Sequence, residues 1–427
     1  MIANAFDELQ PRFCSHDSGK PQKGCYAAGS DCLKSISDRD APDMKRNPKS
    51  FAPRAPQGRR ECEANLSSTD SSAPEALSAV STRVSRNVEF LYLDQEAVLA
   101  ADVLDMRRAM DVVAQAHTMF AQGAIRQPHK IVLRSEETAE SEEQGRFNGL
   151  CASIGVPPSS MGIKWNGSFP SNRELGLPRA SALIILNSLQ TGVPIALMDG
   201  TLVSAVRTGA MTGLGVRYLA PKKTRKVGII GSGVQCRTQI LALHTELPEL
   251  EEISLYGRQS SRAEAVAEDC RQQWSAPVRV ARTIDEALND AEVALTITTS
   301  REPVMLARQI KPGALTIQLA GHECEFAVIQ QCSKIVTDDW EGVVHRGIMT
   351  PAIMYQQGLL CREDIHANLG ELIVGRKAGR ENEEERIHYC HMGMGIDDIS
   401  LAWAVYQTAC QRNLGISLPL WREPLWV

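Results

Sequence analysis

The chain has 427 residues, 43% hydrophobic and 23% charged, with a net charge of −5. That length allows two or three domains with sizeable cores, and the near-balanced charge gives no reason to expect nucleic acid or an anionic membrane surface as a partner. Twelve cysteines are scattered without a C-x-x-C pair or a Cys/His cluster, which argues against a disulfide framework or a structural metal site and for reduced thiols in a cytoplasmic protein.

Residues 1–82 are rich in Ser, Pro, Gly and charge, as in "SHDSGKPQKG" and "SSTDSSAPEALSAVSTR". This composition cannot bury enough apolar surface to offset chain entropy, so a disordered extension without a secretory signal is expected. Order is expected from "VEFLYL" (Val88 to Leu93), a strand leading to Asp94 as a helix N-cap. Leu104, Met110, Val113 and Met119 are loosely spaced along the helix that follows. "KIVLR" and "GRFNGLCASIG" read as strands, and "IKWNGSFPSN" (Ile163 to Asn172) reads as a loop because of its Asn, Gly, Ser and Pro. "SALIILNSLQTG" and "PIALMDGTLVSAVR" read as strands with turns at Thr191-Gly192 and Asp199-Gly200. The apolar stretch from Ala182 to Met198 is interrupted by Asn187, Gln190, Gly192 and Pro194, so it does not read as a membrane span. "TGAMTGLGVRYLA" reads as a helix ending before Pro221.

From about residue 224 to 339 the pattern becomes strand alternating with helix: "KVGIIGSG", "EISLYG", "VRVAR", "VALTITTS", "GALTIQLA" and "SKIVTDD". This predicts a doubly wound parallel sheet of Rossmann type, an α/β domain over 209–339 inserted in a discontinuous α+β domain over 83–208 and 340–427. "DDISLAWAVYQTACQRNLG" is a long amphipathic helix near the end. The cleft between the two domains is the expected site.

"VGIIGSGVQC" carries Gly231 and Gly233 between a strand and a helix, with Cys236 at the third fingerprint position. In that context the first glycine makes the turn, the second lets backbone approach a pyrophosphate, and the phosphates sit on the helix N-terminus. A dinucleotide is therefore expected on Gly231, Ser232, Gly233, Val234 and Gln235. The next strand ends at Gly257 where an acid for the ribose hydroxyl is usual, and Arg258, Ser260 and Arg262 follow. Of the two nicotinamide cofactors this favours NADP over NAD, with Arg258 on the 2′-phosphate.

The motifs "KWNGSFPSN", "TGVPIALMDGTLVSAVRTGA", "GIIGSGVQ" and "MGMGIDDISLA" together resemble the ornithine cyclodeaminase and mu-crystallin family over about residues 85–415. Within it, "GRFNGLCASIG", "GSFPSN" and "PRAS" look closest to the N-(2-amino-2-carboxyethyl)-glutamate dehydrogenases that supply 2,3-diaminopropionate for siderophores. The resemblance implies a nicotinamide-dependent amino-acid oxidoreductase that works as a homodimer. It also implies a substrate carboxylate held by Arg134, Lys164 and Arg207, chemistry that suits a guanidinium fork and a lysine point charge. Arg179 would serve a substrate with more than one carboxylate. Arg207, Thr208, Thr298 and His391 are expected toward the cofactor, the last at its nicotinamide end.

Cyclodeaminases carry an Asp after the strand matching "GALTIQLA"; here the chain reads "LAGHECEF", which puts His322 or Glu323 forward as the general acid or base, with Lys164 as a further catalytic group. The expected reaction is oxidation of a secondary amine and hydrolysis of the imine. Alternatives are a cyclodeaminase or ketimine reductase, and a non-catalytic crystallin-like nucleotide-binding protein.

Overall fold

The computed structural model describes residues 87–134, 145–155 and 160–426; the extension expected over 1–82 lies outside the described residues. Strand β1 (Val88–Leu93) passes into α1 (Gln95–Ala100), whose N-cap Asp94 accepts from Ala97 N as expected. Helix α2 (Met106–Ala121), capped by Asp105, buries Met106, Met110, Val113 and His117, a spacing of three and four that gives it one core face. Strands β2 (Ile125–Arg126), β3 (Ile131–Arg134), β4 (Arg146–Ile154), β5 (Ser160–Ser168), β6 (Ala180–Asn187) and β7 (Pro194–Asp199) follow, and then α3 (Gly200–Leu219).

Next come β8 (Lys226–Ile230), α4 (Gln235–Glu246), β9 (Glu252–Tyr256), α5 (Ser260–Trp274), β10 (Val278–Val280), α6 (Ile284–Leu288), β11 (Val293–Thr296), β12 (Leu315–Gln318), α7 (Phe326–Gln330) and β13 (Lys334–Thr337). The chain continues through α8 (Trp340–Arg346), α9 (Thr350–Gln356), β14 (Ile365–Asn368), α10 (Leu369–Ile373), β15 (Ile387–Cys390), α11 (Gly395–Arg412) and β16 (Ile416–Trp421). The strands form two sheets. One runs β16-β1-β7-β6-β5-β4-β2, with β3 also on β4; β1–β7 is parallel and its other pairs are antiparallel. The other is wholly parallel in the order β10-β9-β8-β11-β12-β15-β13-β14, the expected doubly wound sheet. It continues past residue 339, because β14 and β15 return to it. Their strands "IHAN" and "IHYC" each carry a histidine, which hides the usual apolar run.

Two local expectations are corrected. Ile163 to Ser168 is not a loop but the second half of β5. Its alternation is genuine but inverted: Lys164 points into the protein at 2% exposure, while Trp165 points out at 40%. Polar residues inside and an aromatic outside read from sequence as loop chemistry. "GTLVSAVR" is not a strand but the first two turns of α3, capped by Asp199, which accepts from Thr201 N and Leu202 N. Its β-branched content favoured strand, and burial on nearly all sides erased a helical stripe.

Helix α3 joins the two sheets. Gly209, Gly213 and Gly215 let it approach its neighbours: a Cβ there would lie 2.4 Å from Thr238 O, 2.4 Å from Met110 Sδ and 2.3 Å from the Tyr389 ring. Helix α11 crosses the inner face of β4, β5 and β6. Its first residue, Gly395, rests on β4; a Cβ would meet Cys151 O at 2.5 Å. Backbone cannot yield as a side-chain tip can. Gly395→Ala is therefore expected to lower unfolding stability by about 1–3 kcal/mol, read from the urea midpoint; an unchanged midpoint would mean that α11 seats on β4 with slack.

Candidate active site

Four elements meet at one buried ion cluster. Asp397 and Asp398, in the first turn of α11, are wholly buried. Lys164 Nζ of β5 lies 2.7 Å and 2.6 Å from the two oxygens of Asp398 and donates to Ser204 Oγ of α3 at 2.9 Å. Arg207, one turn along α3 from Ser204, donates from Nε to Asp398 Oδ1 at 2.9 Å, and its Nη1 is 3.8 Å from Asp397. His117 of α2 closes the set, with Nε2 2.9 Å from Asp397 Oδ1. Burial and the charge of Arg207 pull Lys164 down to about 8 even though Asp398 opposes them. Burial would raise Asp397, but the His117 bond and the Arg207 charge hold it below the usual carboxylate range. Arg207 is raised: burial opposes its charge, and Asp398 and Asp397 outweigh that.

Beside the cluster lies a cavity of about 400 Å³ whose lining includes Lys130, Leu150, Asp338, Arg346, Met392 and Gly393. Arg207 abuts it, since a Cβ on Gly393 would fall 1.7 Å from Arg207 Nη1, and that nitrogen is buried without a hydrogen-bond partner. Lys130 has no acidic partner among the described residues; burial and the charges of Lys164, Arg346, Arg207 and Arg146 bring it down to about 7. Asp338, at the end of β13, accepts from Met392 N and Gly393 N and holds the loop before α11. Burial lifts its carboxyl to about 6.

The cofactor loop has the form its sequence implies. Gly231 adopts φ +122° with its α-carbon against Ile297 O, a conformation reserved for glycine. No atom lies within 4 Å of a Cβ on Gly233, Val234 is exposed, and α4 begins at Gln235 without a side-chain cap. Open backbone over an uncapped helix start suits a pyrophosphate. Gly257 is packed on Ser232, whose Oγ would lie 2.3 Å from a Cβ, so an acid has no room there. Arg258 is exposed at the end of β9 and has no acidic partner among the described residues.

The structure brings some expected residues together and separates others. Lys164 and Arg207 are in the cluster, but already paired to Asp398 and not standing free. Arg134 shares the inward face of the sheet with them, yet it sits exposed at the end of β3, away from the cavity lining; Lys130, at the start of the same "KIVLR", lines it instead. Arg179 is half-buried with its Nε unpartnered and is likewise outside that lining. Thr208 donates to Ser204 O within α3.

Glu323 does not act as a cleft acid: it is fully buried and accepts from Thr298 N, Thr298 Oγ1 and Ala320 N, stapling two loops of the parallel sheet. Thr298 is held by that staple. His322 lies beside Phe326 in the loop after β12, on the same sheet edge as Gly231, with Nε2 unpartnered. His391 is a core residue, not a cleft residue: buried, 2.9 Å from Thr212 Oγ1, and brought down to about 3 by burial and Arg207. Sequence reasoning missed Lys130, Asp338 and Arg346. The signal for Asp338 was available, since an acid just past a parallel strand lies on the ligand edge of such a sheet.

The chain matches the model of the ornithine cyclodeaminase/mu-crystallin family over residues 92–413, and it belongs to that family. It is 33% identical to an alanine dehydrogenase of Archaeoglobus fulgidus over 340 residues, 78% of this chain and all of the relative. It is 31% identical to the N-((2S)-2-amino-2-carboxyethyl)-L-glutamate dehydrogenase of Staphylococcus aureus over 338 residues, again 78% and 100%. Among solved structures, an archaeal alanine dehydrogenase dimer with bound NAD superposes with a TM-score of 0.70 at 31% identity, covering 78% of this chain and all of that one.

Lys130 supplies a test of the cavity's electrostatics. Its value of about 7 in the fold lies below its usual 10.5, so the unfolded chain binds more protons between those limits and stability rises with pH from about 7 to 10. Lys130→Met removes that slope and is expected to stabilise the protein at pH 7 by roughly 1–2 kcal/mol. Urea midpoints at pH 7, 8.5 and 10 read the effect; parallel wild-type and variant profiles would place Lys130 in solvent.

Proposed function

We propose that this protein oxidises a secondary amine joining two amino-acid skeletons, N-(2-amino-2-carboxyethyl)-L-glutamate or a close analogue, to 2,3-diaminopropionate and 2-oxoglutarate. The broader class is firm: the chain is an NAD(P)-dependent oxidoreductase acting on amino-acid CH–NH groups. The observation that carries the finer reading is the cation set around the cavity, Lys130, Lys164, Arg207 and Arg346, of which Lys130 and Arg346 have no acidic partner among the described residues. Such a set favours a substrate with several carboxylates over alanine or an ornithine-like diamine. The S. aureus relative supports it. Production of 2,3-diaminopropionate for a siderophore or other natural product is part of the same reading.

The nicotinamide, when bound, supplies the hydride acceptor. The protein's residues do the rest. Lys130 and the unpartnered Arg207 Nη1 hold a carboxylate, and Lys164 keeps Arg207 and Asp398 aligned behind it. A carboxylate beside Lys130 restores its charge, so binding takes up a proton. His322, whose Nε2 is buried on the cofactor edge without a hydrogen-bond partner, is the proposed acceptor of the amine proton and then the base for water on the imine. Its neighbour Glu323 is excluded by its backbone hydrogen bonds.

NADP is proposed over NAD, on the blocked acid position at Gly257 and on Arg258, which has no acidic partner among the described residues. Purified protein should reduce a nicotinamide cofactor, followed at 340 nm, with the glutamate conjugate but not with ornithine. Arg258→Ala should weaken NADP about tenfold and leave NAD unchanged. Loss of both affinities alike would refute the phosphate contact, and ornithine-driven turnover would refute the substrate reading.

A homodimer is also proposed. Ile131, Leu133, Trp165, Leu183 and Ile185 form an exposed apolar face on the outer side of β3, β5 and β6, the kind of contiguous patch that a second copy would cover. Light scattering should give twice the chain mass of 46.8 kDa; a monomer at micromolar concentration would contradict it.

A further inference from the structure

The link between β15 and α11, His391 to Met394, is held at every backbone N–H. His391 N donates to Gln318 O at 3.2 Å. Met392 N and Gly393 N both donate to Asp338 Oδ2, at 2.9 Å and 2.7 Å, and Met394 N donates to Asp397 Oδ2 at 2.8 Å. The His391 ring is tied to Thr212 of α3 as well. With its donors all engaged, this short link has little freedom of its own. Asp338 stands at the end of β13 beside it, where Asp338 N donates to Cys390 O at 3.3 Å. Its side chain is 1% exposed, and its Oδ1 accepts from Asp339 N at 2.9 Å. Three backbone N–H groups thus converge on one buried carboxylate, an arrangement that suits a group with acceptors and no donor.

Gly393 is where the link meets the clamp. Its φ of +82° turns the α-carbon onto Arg207: an added Cβ would lie 1.7 Å from Nη1 and 2.7 Å from Cζ. Glycine alone adopts that conformation and leaves the guanidinium that space. The guanidinium itself is anchored unevenly. Nε donates to Asp398 Oδ1 at 2.9 Å, whereas Nη1 is 3.8 Å from Asp397 and has no hydrogen-bond partner. One edge of the planar group is therefore fixed by a hydrogen bond, and the edge that carries Nη1 is set by packing against Gly393. Gly393 and Asp338 both line the cavity.

We propose that Asp338 is a positioning residue: by holding Met392 N and Gly393 N it keeps Gly393 against the Arg207 guanidinium and so aims Nη1 into the cavity, toward the substrate carboxylate. Asp338 acts through Arg207 and not on the substrate, because both of its oxygens are engaged by backbone N–H groups. Its strand belongs to the parallel sheet that carries the glycine loop, whereas Lys164 belongs to the other sheet. Two hydrogen bonds to the link thus align the clamp with the cofactor sheet. What Nη1 binds rests on the proposed oxidoreductase reading; that Asp338 sets the place of Arg207 does not.

The test approaches the contact from both sides in the full-length protein. Asp338→Asn keeps the shape but puts an NH2 group where an acceptor stood, so at least one of the three bonds is lost. With N-(2-amino-2-carboxyethyl)-L-glutamate as substrate, KM is expected to rise about tenfold while kcat changes less than about threefold. The NADP dissociation constant should stay within about twofold of the wild type. Gly393→Ala, which pushes on Nη1 directly, should give the same split. Because both changes act through one contact, the double variant should be no worse than about twice the more impaired single. Losses that multiply, or kcat and NADP affinity falling together with KM, would make Asp338 merely structural and overturn the proposal. Crystal structures of the wild type and of Asp338→Asn need no substrate: Gly393 and Arg207 Nη1 are expected to shift together by about 1 Å, and a guanidinium that stays in place overturns the proposal. If the conjugate is not oxidised, the functional reading fails and these structures decide alone; they do so with the Asp338→Asn kinetics if Gly393→Ala does not fold.

Discussion

Two adjacent carboxylates at the start of α11 hold together parts of the chain nearly 300 residues apart. Asp398 binds Lys164 of β5 and Arg207 of α3, and Asp397 binds His117 of α2. All five side chains are almost wholly removed from water. A buried ion pair gains little net stability over an apolar packing, but removal of one partner strands the other at a cost of about 3–5 kcal/mol. The cluster therefore acts less as a source of stability than as a constraint. Only one relative placement of α11, α3, α2 and the first sheet satisfies every charge, and that placement sets the wall of the cleft. The glycines of α3 and Gly395 serve the same end, because they let backbones approach closely enough for short hydrogen bonds.

The constraint divides the cations of the cleft into two kinds. Lys164 and Arg207 are neutralised from within, so they are fixed in position before any substrate arrives. Lys130 and Arg346 have no acidic partner among the described residues, and burial together with the charges of other cations lowers both. A carboxylate bound beside them would offset that cost. On the proposed reading, part of the substrate's binding energy goes to cancelling an unfavourable term already present in the folded protein. Lys164, the residue most conspicuous in sequence, is thus already paired to Asp398 within the folded chain.

Much of the fold was legible because its signals are local. The alternating strands from Lys226 to Thr337, the glycine turn after β8 and the cap at Asp94 depend on a few neighbouring residues each and were read as found, whereas Asp199 was read as a turn and not as the cap of α3. The site was less legible. Which end of "KIVLR" faces the cavity is decided by where β3 pairs with β4 and by the register that sets Arg134 opposite Arg146. Nothing within those five residues chooses between Lys130 and Arg134. Arg346 lies more than 200 residues from Lys130 and follows a part of the sheet that sequence alone ended too early. Glu323 was attractive by type and position, and only its hydrogen bonds to Thr298 and Ala320 reveal it as a staple.

The inverted strand β5 ties these observations together. In a sheet with one wet face, apolar residues point inward and polar residues outward. Here Lys164 and Asn166 point inward, toward a cluster of charges, while Ile163 and Trp165 point to the other face. Both faces consequently have a definite requirement: the inner one needs Asp398 and the cavity, and the outer one needs apolar cover. A slip of one residue in register would bury Trp165 among carboxylates and expose Lys164, violating both at once. The polarity that disguised the segment as a loop is therefore what fixes its register.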